Sequence, residues 1–172
     1  EELLVGGCTR LSNITTSLVA DHCRTRLRRL GLGGLGSICD IDCEDVGRCA
    51  RLEWLELRAC ARLSDAGLKH IGLLAGRQTK ARAEWAKSAD GAASPPPPVL
   101  MHLDLGGLGR ISDEALLKLL ARAKHLRTLD LRGCARLTPD GVAAVLAYVT
   151  ADGVATAPSL LLTELRCVTL SN

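Results

Sequence analysis

Hydrophobic residues fall in a fixed order along this chain. In Leu126–Gly141, LRTLDLRGCARLTPDG, leucines at 126, 129 and 131 are followed by Cys134 and Leu137, and the same order recurs in Leu52–Gly67, LEWLELRACARLSDAG. The alternation of Leu129 with Leu131, or of Leu55 with Leu57, predicts a short strand with one buried face. A Gly or Cys turn comes next, then an aliphatic residue aimed back at the core: Leu11, Ile38, Leu63, Ile111 or Leu137. Ser64 before Asp65, Ser112 before Asp113 and Glu114, and Thr138 before Pro139 and Asp140 place a capping hydroxyl ahead of acidic or proline first-turn residues, which predicts helix starts. Leu68, Ile71 and Leu74, then Leu116, Leu119 and Leu120, then Val142, Val145, Leu146 and Val149 recur at helical spacing and predict one buried stripe per helix.

Counted from the first leucine of each motif, units open at Leu27, Leu52, Leu100, Leu126 and Leu162, and an earlier one enters part-way with Leu3, Val5 and Cys8 in the later slots. Leu27 and Leu52 are 25 residues apart, and Leu100 and Leu126 are 26 apart. The two longer intervals exceed such a unit by about 23 and about 10 residues, which predicts insertions near 76–98 and 150–159. Both follow a helix and precede a strand, so they are expected at the same rim. The second unit departs from the pattern after Leu35, where GSICDIDCEDVG lacks the leucine stripe and leaves its helix unassigned. Units of this kind are expected to stack through residues 1–172 as a single domain of about six. The predicted fold class is α/β: a right-handed solenoid, or horseshoe, with a parallel β-sheet on its concave face and helices on its convex face.

The strings LRTLDLRGCARLTPDGV and LEWLELRACARLSDAGL resemble the cysteine-containing leucine-rich repeat (LRR) of the F-box and related LRR proteins, and the resemblance covers almost the whole chain outside the two insertions. It implies the LRR fold and binding through the repeat surface. Many members of that family are substrate receptors of Skp1-cullin (SCF-type) E3 ubiquitin ligases, attached through a separate F-box; no F-box-like segment stands in this sequence. The resemblance therefore implies a non-catalytic protein–protein interaction module like the substrate-recognition part of such a receptor, with Skp1-cullin components held by regions outside this chain. It equally permits a structural scaffold subunit of a large assembly such as the ciliary axoneme, where LRR and F-box-like subunits occur in the dynein regulatory complex.

Composition narrows the alternatives. The chain is 47% hydrophobic but only 2% aromatic, with no Phe, so a thin aliphatic core is expected. Its 22 basic and 19 acidic residues leave a net charge of +3 that gathers into no stripe, which argues against nucleic acid as a partner. No apolar run approaches the roughly 18 residues of a membrane span, and the start EELLVGGC has no leader pattern. Cys8, Cys60 and Cys134 share one repeat position, with Leu35 and Leu108 filling it between them, so these cysteines are too far apart to pair. Free thiols in a reducing, intracellular compartment are expected, in the cytoplasm or a cytoskeletal or ciliary setting. Both ends of the chain leave core positions uncovered, which is expected to require further repeats or neighbouring proteins.

Motifs that suggest chemistry are explained by the repeat. Gly31–Gly36, GLGGLG, matches the dinucleotide pattern G-x-G-x-x-G, but these residues align with the LDLGGL of Leu103–Leu108 and read as strand and turn, so no cofactor is expected. Cys39, Cys43 and Cys49, with His22 and Cys23 upstream, lack a C-x-x-C pair and read as core thiols rather than a zinc set. His22, His70, His102 and His125 belong to no recurring nucleophile–base arrangement; no catalytic residue is expected.

The outward-facing strand positions carry the stronger signal. Residues between the buried leucines form three rows: Glu2, Arg29, Trp54, His102, Thr128, Glu164; then Leu4, Gly31, Glu56, Asp104, Asp130, Arg166; then Gly6, Gly33, Arg58, Gly106, Arg132, Val168. Glu56, Asp104 and Asp130 are expected on adjacent strands about 4.8 Å apart, where like charges repel and Asp is a poor strand former. A partner offering basic or hydrogen-bond-donating groups accounts for them, with Trp54 as an anchor, whereas a merely solvated polar face is the plainer account. The candidate partner-binding residues are Trp54, Glu56, Arg58, His102, Asp104, Thr128, Asp130, Arg132, Glu164 and Arg166. The 76–98 insertion supplies another candidate: Arg77, Lys80, Arg82 and Lys87 with Trp85, around KARAEWAK, predict a short basic helix with an aromatic anchor, ahead of the stiff ASPPPP, as either a docking arm or a linker.

Overall fold

Each leucine-centred trio becomes a strand only three residues long, and each capped stripe becomes a helix. The computed structural model describes residues 1–11, 14–88, 94–151 and 164–166. Its elements alternate: β1 (Glu2–Leu4), α1 (Ile14–Cys23), β2 (Arg29–Gly31), α2 (Asp40–Gly47), β3 (Trp54–Glu56), α3 (Asp65–Lys87), β4 (His102–Asp104), α4 (Asp113–Leu120), β5 (Thr128–Asp130), α5 (Pro139–Ala151) and β6 (Glu164–Arg166). The strands form one parallel six-stranded sheet in chain order. Its register sets Leu3, Leu30, Leu55, Leu103, Leu129 and Leu165 side by side. Each helix packs against the helices before and after it in the chain.

The alternation in the strands decides which side of the sheet the helices cover. Leu30, Leu55, Leu103 and Leu129, with Leu32, Leu57, Leu105 and Leu131 two residues on, join Leu68, Ile71, Leu74, Leu116, Leu119 and Leu120 in one core. Burying each such leucine contributes about 1.5–3 kcal/mol, so a core without rings suffices. The intervening strand residues stay partly exposed on the opposite, open face. Past the strands the chain turns through a left-handed residue: Gly7, Gly34, Gly107 and Gly133 have φ of 75–76°, and Ala59 holds the same place at 55°.

A second periodic device appears at the helix starts. The carboxylate of Asp40 accepts hydrogen bonds from the backbone N–H and hydroxyl of Ser64 at 2.8 and 2.6 Å, and from Gly67 N–H at 3.0 Å. Asp65 does the same for Ser112, and Asp113 for Thr138. The first-turn acid of one helix thereby fixes the cap of the next. Glycine at 67 belongs to this arrangement, because a Cβ there would lie 2.7 Å from Asp40 Oδ1.

Three sequence expectations change. The second unit does form a helix, α2. Asp42, 3% exposed, accepts from the Cys39 N–H at 2.8 Å and from the Thr16 hydroxyl at 2.5 Å, which anchors the helix start, and Cys43 and Val46 supply the buried stripe that leucines supply elsewhere. Leu146, assigned to the buried stripe of α5, is 47% exposed, while Val145 beside it is fully buried and Val142 packs against the core. The predicted short basic helix is not separate: α3 continues unbroken through Gly76 to Lys87. The continuation is stabilised by buried Gln78, whose Nε2 donates to the carbonyls of Ala50 and Leu52 at 3.0 and 2.9 Å and whose Oε1 accepts from Leu100 N–H at 2.9 Å. Most of the predicted 150–159 insertion, from 152 onward, lies outside the described residues. No helix among the described residues is long and apolar enough to cross a membrane.

Candidate functional site

The strand register brings the predicted rows together on the open face. Trp54 pairs with His102 and His102 with Thr128; Glu56 pairs with Asp104 and Asp104 with Asp130. The backbone bonds of the turn continue the register, with Gly34 N–H donating to Arg58 O, Ala59 to Gly106 O and Gly107 to Arg132 O. Glu164 and Arg166 extend the first two rows on β6 by backbone pairing.

Side-chain contacts turn the rows into a network. The Arg29 guanidinium lies over the Trp54 ring, 5.1 Å from its centroid. His102 Nδ1 and the Thr128 hydroxyl are 2.7 Å apart. Asp104 accepts from Gly106 N–H at 2.8 Å and Asp130 from Arg132 N–H at 3.0 Å, so each aspartate also fastens the turn behind its strand. Arg58 reaches across β4 and approaches Asp104 at 3.9 Å and Asp130 at 3.8 Å. Gly106 between them is closely surrounded: a Cβ there would lie 3.1 Å from Asp104 Oδ1 and 3.3 Å from the Arg132 carbonyl oxygen. Arg132 closes on Asp130 through both Nε and Nη2.

The carboxylates are therefore not equivalent. Glu56 is pushed above the ordinary glutamate value by burial and then by the charge of Asp104, with Arg58 pulling the other way. Burial also pushes Asp130 up, but the hydrogen bonds from Arg132 and the charges of Arg132 and Arg58 outweigh it and hold Asp130 below the ordinary value. Among the described side chains of the second and third rows, three carboxylates face two guanidiniums. Beside it Trp54, His102, Asp104, Thr128 and Asp130 line a hollow of about 330 Å³. The whole offers acceptors, a cation-stacked indole and a histidine.

No family model matches the chain, and no curated protein matches it.

The glycine-rich run and the cysteines take part in packing. Two glycines of GLGGLG lie against a neighbour: a Cβ at Gly33 would lie 2.7 Å from Glu56 Oε1, and one at Gly31 would lie 3.1 Å from Glu56 Oε2. All seven described cysteines are free thiols. Cys43, Cys49, Cys60 and Cys134 are buried; Cys8, at the first rung, is exposed. Burial pushes the thiols of Cys49 and Cys60 up to about 11 and that of Cys43 higher still, which keeps them protonated and unreactive.

Arg82, Trp85 and Lys87 lie elsewhere, on the last turns of α3. Arg82 donates to the Pro97 carbonyl and the Trp85 indole N–H to the Ser94 hydroxyl, each at 3.1 Å, so two of the three are tied to the proline segment of their own chain. Lys87 is exposed. The sequence reading missed Arg29 as the partner of Trp54, and Arg28 and Arg51, which share a groove with Arg77 and Trp85. Of these, only Arg29 was visible in an outward-facing row.

Proposed function

We propose that this chain is a non-catalytic protein-interaction module of the cysteine-containing LRR type, a solenoid whose open sheet face receives a protein partner. The observation that carries the reading is the charged network of Glu56, Arg58, Asp104, Asp130 and Arg132 on the face that the helices leave uncovered. The turns behind β4 and β5 use an acceptor at Asp104 and Asp130, which asparagine would also supply, whereas exposed strand positions otherwise accept any polar residue and a repeated acid row on adjacent strands is mildly destabilising. A partner bringing basic or donor groups to Asp104 and Glu56, with an edge against Trp54, turns that cost into specificity. The resemblance to F-box receptors makes the partner a protein to be ubiquitylated; in a scaffold the same face would hold a neighbouring subunit. In either setting the thiol-rich core suits a reducing compartment.

The test is quantitative affinity purification from the source cells with the wild-type chain and with Asp104→Asn/Asp130→Asn. Asparagine keeps the oxygens that accept from Gly106 and Arg132 N–H, so the turns stay fastened while the charge goes. The reading expects at least one protein to be lost from the variant at unchanged fold; identical retained sets contradict it. Skp1 and cullin among the retained proteins would mark a ligase receptor, and a salt-resistant assembly a scaffold subunit.

A further inference from the structure

Between the second half of α3 and the segments leading into β2 and β3 lies a groove of about 690 Å³, within the size range of ligand sites. Leu74, Ala81, the Trp85 ring and Pro95–Pro98 give it an apolar lining. Arg28, Arg51 and Arg77 also line it, and among the described residues no carboxylate does. Arg28 is offset by Glu53 at 3.1 Å. Arg77 donates to the Gly47 carbonyl, a neutral acceptor that leaves its charge uncancelled. Arg51 is exposed and makes no ion pair among the described residues. The groove thus combines an apolar surface with two uncompensated guanidiniums from different segments.

The repeat does not require this. The positions of Arg28 and Arg51 within their units are taken by Met101 and Val99 in the fourth and by Arg127 and His125 in the fifth. The site is also pre-formed, because Arg82 and Trp85 hold the proline segment against α3. A held groove loses less freedom on binding than a loose arm would.

We propose that this groove binds an acidic peptide segment of a partner protein, with one apolar side chain against Trp85 and the prolines and carboxylates on Arg51 and Arg77. Guanidiniums recognise carboxylates through charge-assisted, often paired hydrogen bonds, and their distribution over separate segments suits an extended chain better than a small anion. None of the lining residues belongs to the open sheet face, so this inference stands or falls separately from the reading above.

The probe is a fluorescein-labelled peptide with one leucine flanked on each side by glutamates, titrated into the full chain by anisotropy beside a glutamine-for-glutamate control. Saturable binding of the glutamate peptide that weakens as salt rises is expected. Arg51→Glu should weaken it about tenfold, and Arg51→Gln by less, with unfolding midpoints unchanged because Arg51 is exposed. Trp54→Ala should leave it intact. Equal binding of the glutamine peptide, no saturable binding, or indifference to Arg51→Glu overturns the proposal; displacement by inorganic phosphate at matched charge would show a small-anion site and overturns it too.

Discussion

The Asp65 carboxylate takes both the backbone N–H and the hydroxyl of Ser112, 47 residues further on, at 2.7 and 2.8 Å. A residue that opens α3 thereby closes the cap of α4 and ties two units together across the longest interval in the chain. Asp65→Ala should lower the unfolding free energy by about 1–2 kcal/mol, the loss of a cap partner and of a charge-assisted bond. A double-mutant cycle with Ser112→Ala, followed by urea unfolding, should show coupling between them. Additive losses would mean that the link carries no energy of its own.

Ala59 occupies a turn position that glycine fills in four other units, at φ 55°. A non-glycine residue there costs about 1 kcal/mol or more, part of which glycine returns as unfolded-state entropy. Ala59→Gly should therefore stabilise the chain by about 0.5–1 kcal/mol, against the usual direction for Ala→Gly. Thermal unfolding checks it, and a lower midpoint would show that the Ala59 methyl contributes more by packing than it costs.

Gln78 satisfies three backbone groups belonging to three successive units. Gln78→Leu removes all three bonds from a site only 4% exposed and should cost about 2–4 kcal/mol. Thr79→Val, nearby on the same helix but at a more exposed bond to the Arg122 carbonyl, should cost much less. Equal effects in chemical denaturation would contradict the role given to Gln78.

Stability should respond to pH in opposite senses at Glu56 and Asp130. Folding raises the Glu56 pKa above its ordinary 4.5, so the ionised side chain subtracts stability at neutral pH, and the penalty is lifted as pH falls through the raised value. Glu56→Gln should accordingly stabilise at pH 7, with the gain vanishing below 4.5. Folding lowers the Asp130 pKa below 3.8, so the ionised side chain adds stability that is lost as pH falls through the lowered value. Asp130→Asn should destabilise at pH 7 and converge with wild type in acid. Unfolding curves over a pH series read both, and a reversed order would contradict the network's electrostatics.

The open-face rows were legible in the sequence because Leu-x-Leu alternation leaves one possible register: a slip by one residue would have put Leu55 and Leu129 in water and Glu56 and Asp130 in the core. Ser64 and Ser112 were legible as caps by local chemistry. What escaped depends on partners distant in sequence. α2 lacks the leucine stripe and is secured by Thr16 through Asp42. The length of α3 depends on Gln78 meeting residues 22 to 28 positions away. The acids were visible, but Arg58 spanning β4 to Asp130 links residues of two non-adjacent strands, which only the assembled sheet reveals. The groove arginines come from three separate segments and no spacing rule joins them.

Carboxyl footprinting of the complex retained by affinity purification tests the central claim most directly, because it reads the open face itself. Glycine ethyl ester coupled by carbodiimide should label Glu56 and Asp104 in the free chain and label them much less in the complex, while exposed Glu114 on α4 keeps its labelling in both. Unchanged labelling of Glu56 and Asp104 in a complex that does protect another surface would contradict the assignment of the sheet face as the binding site.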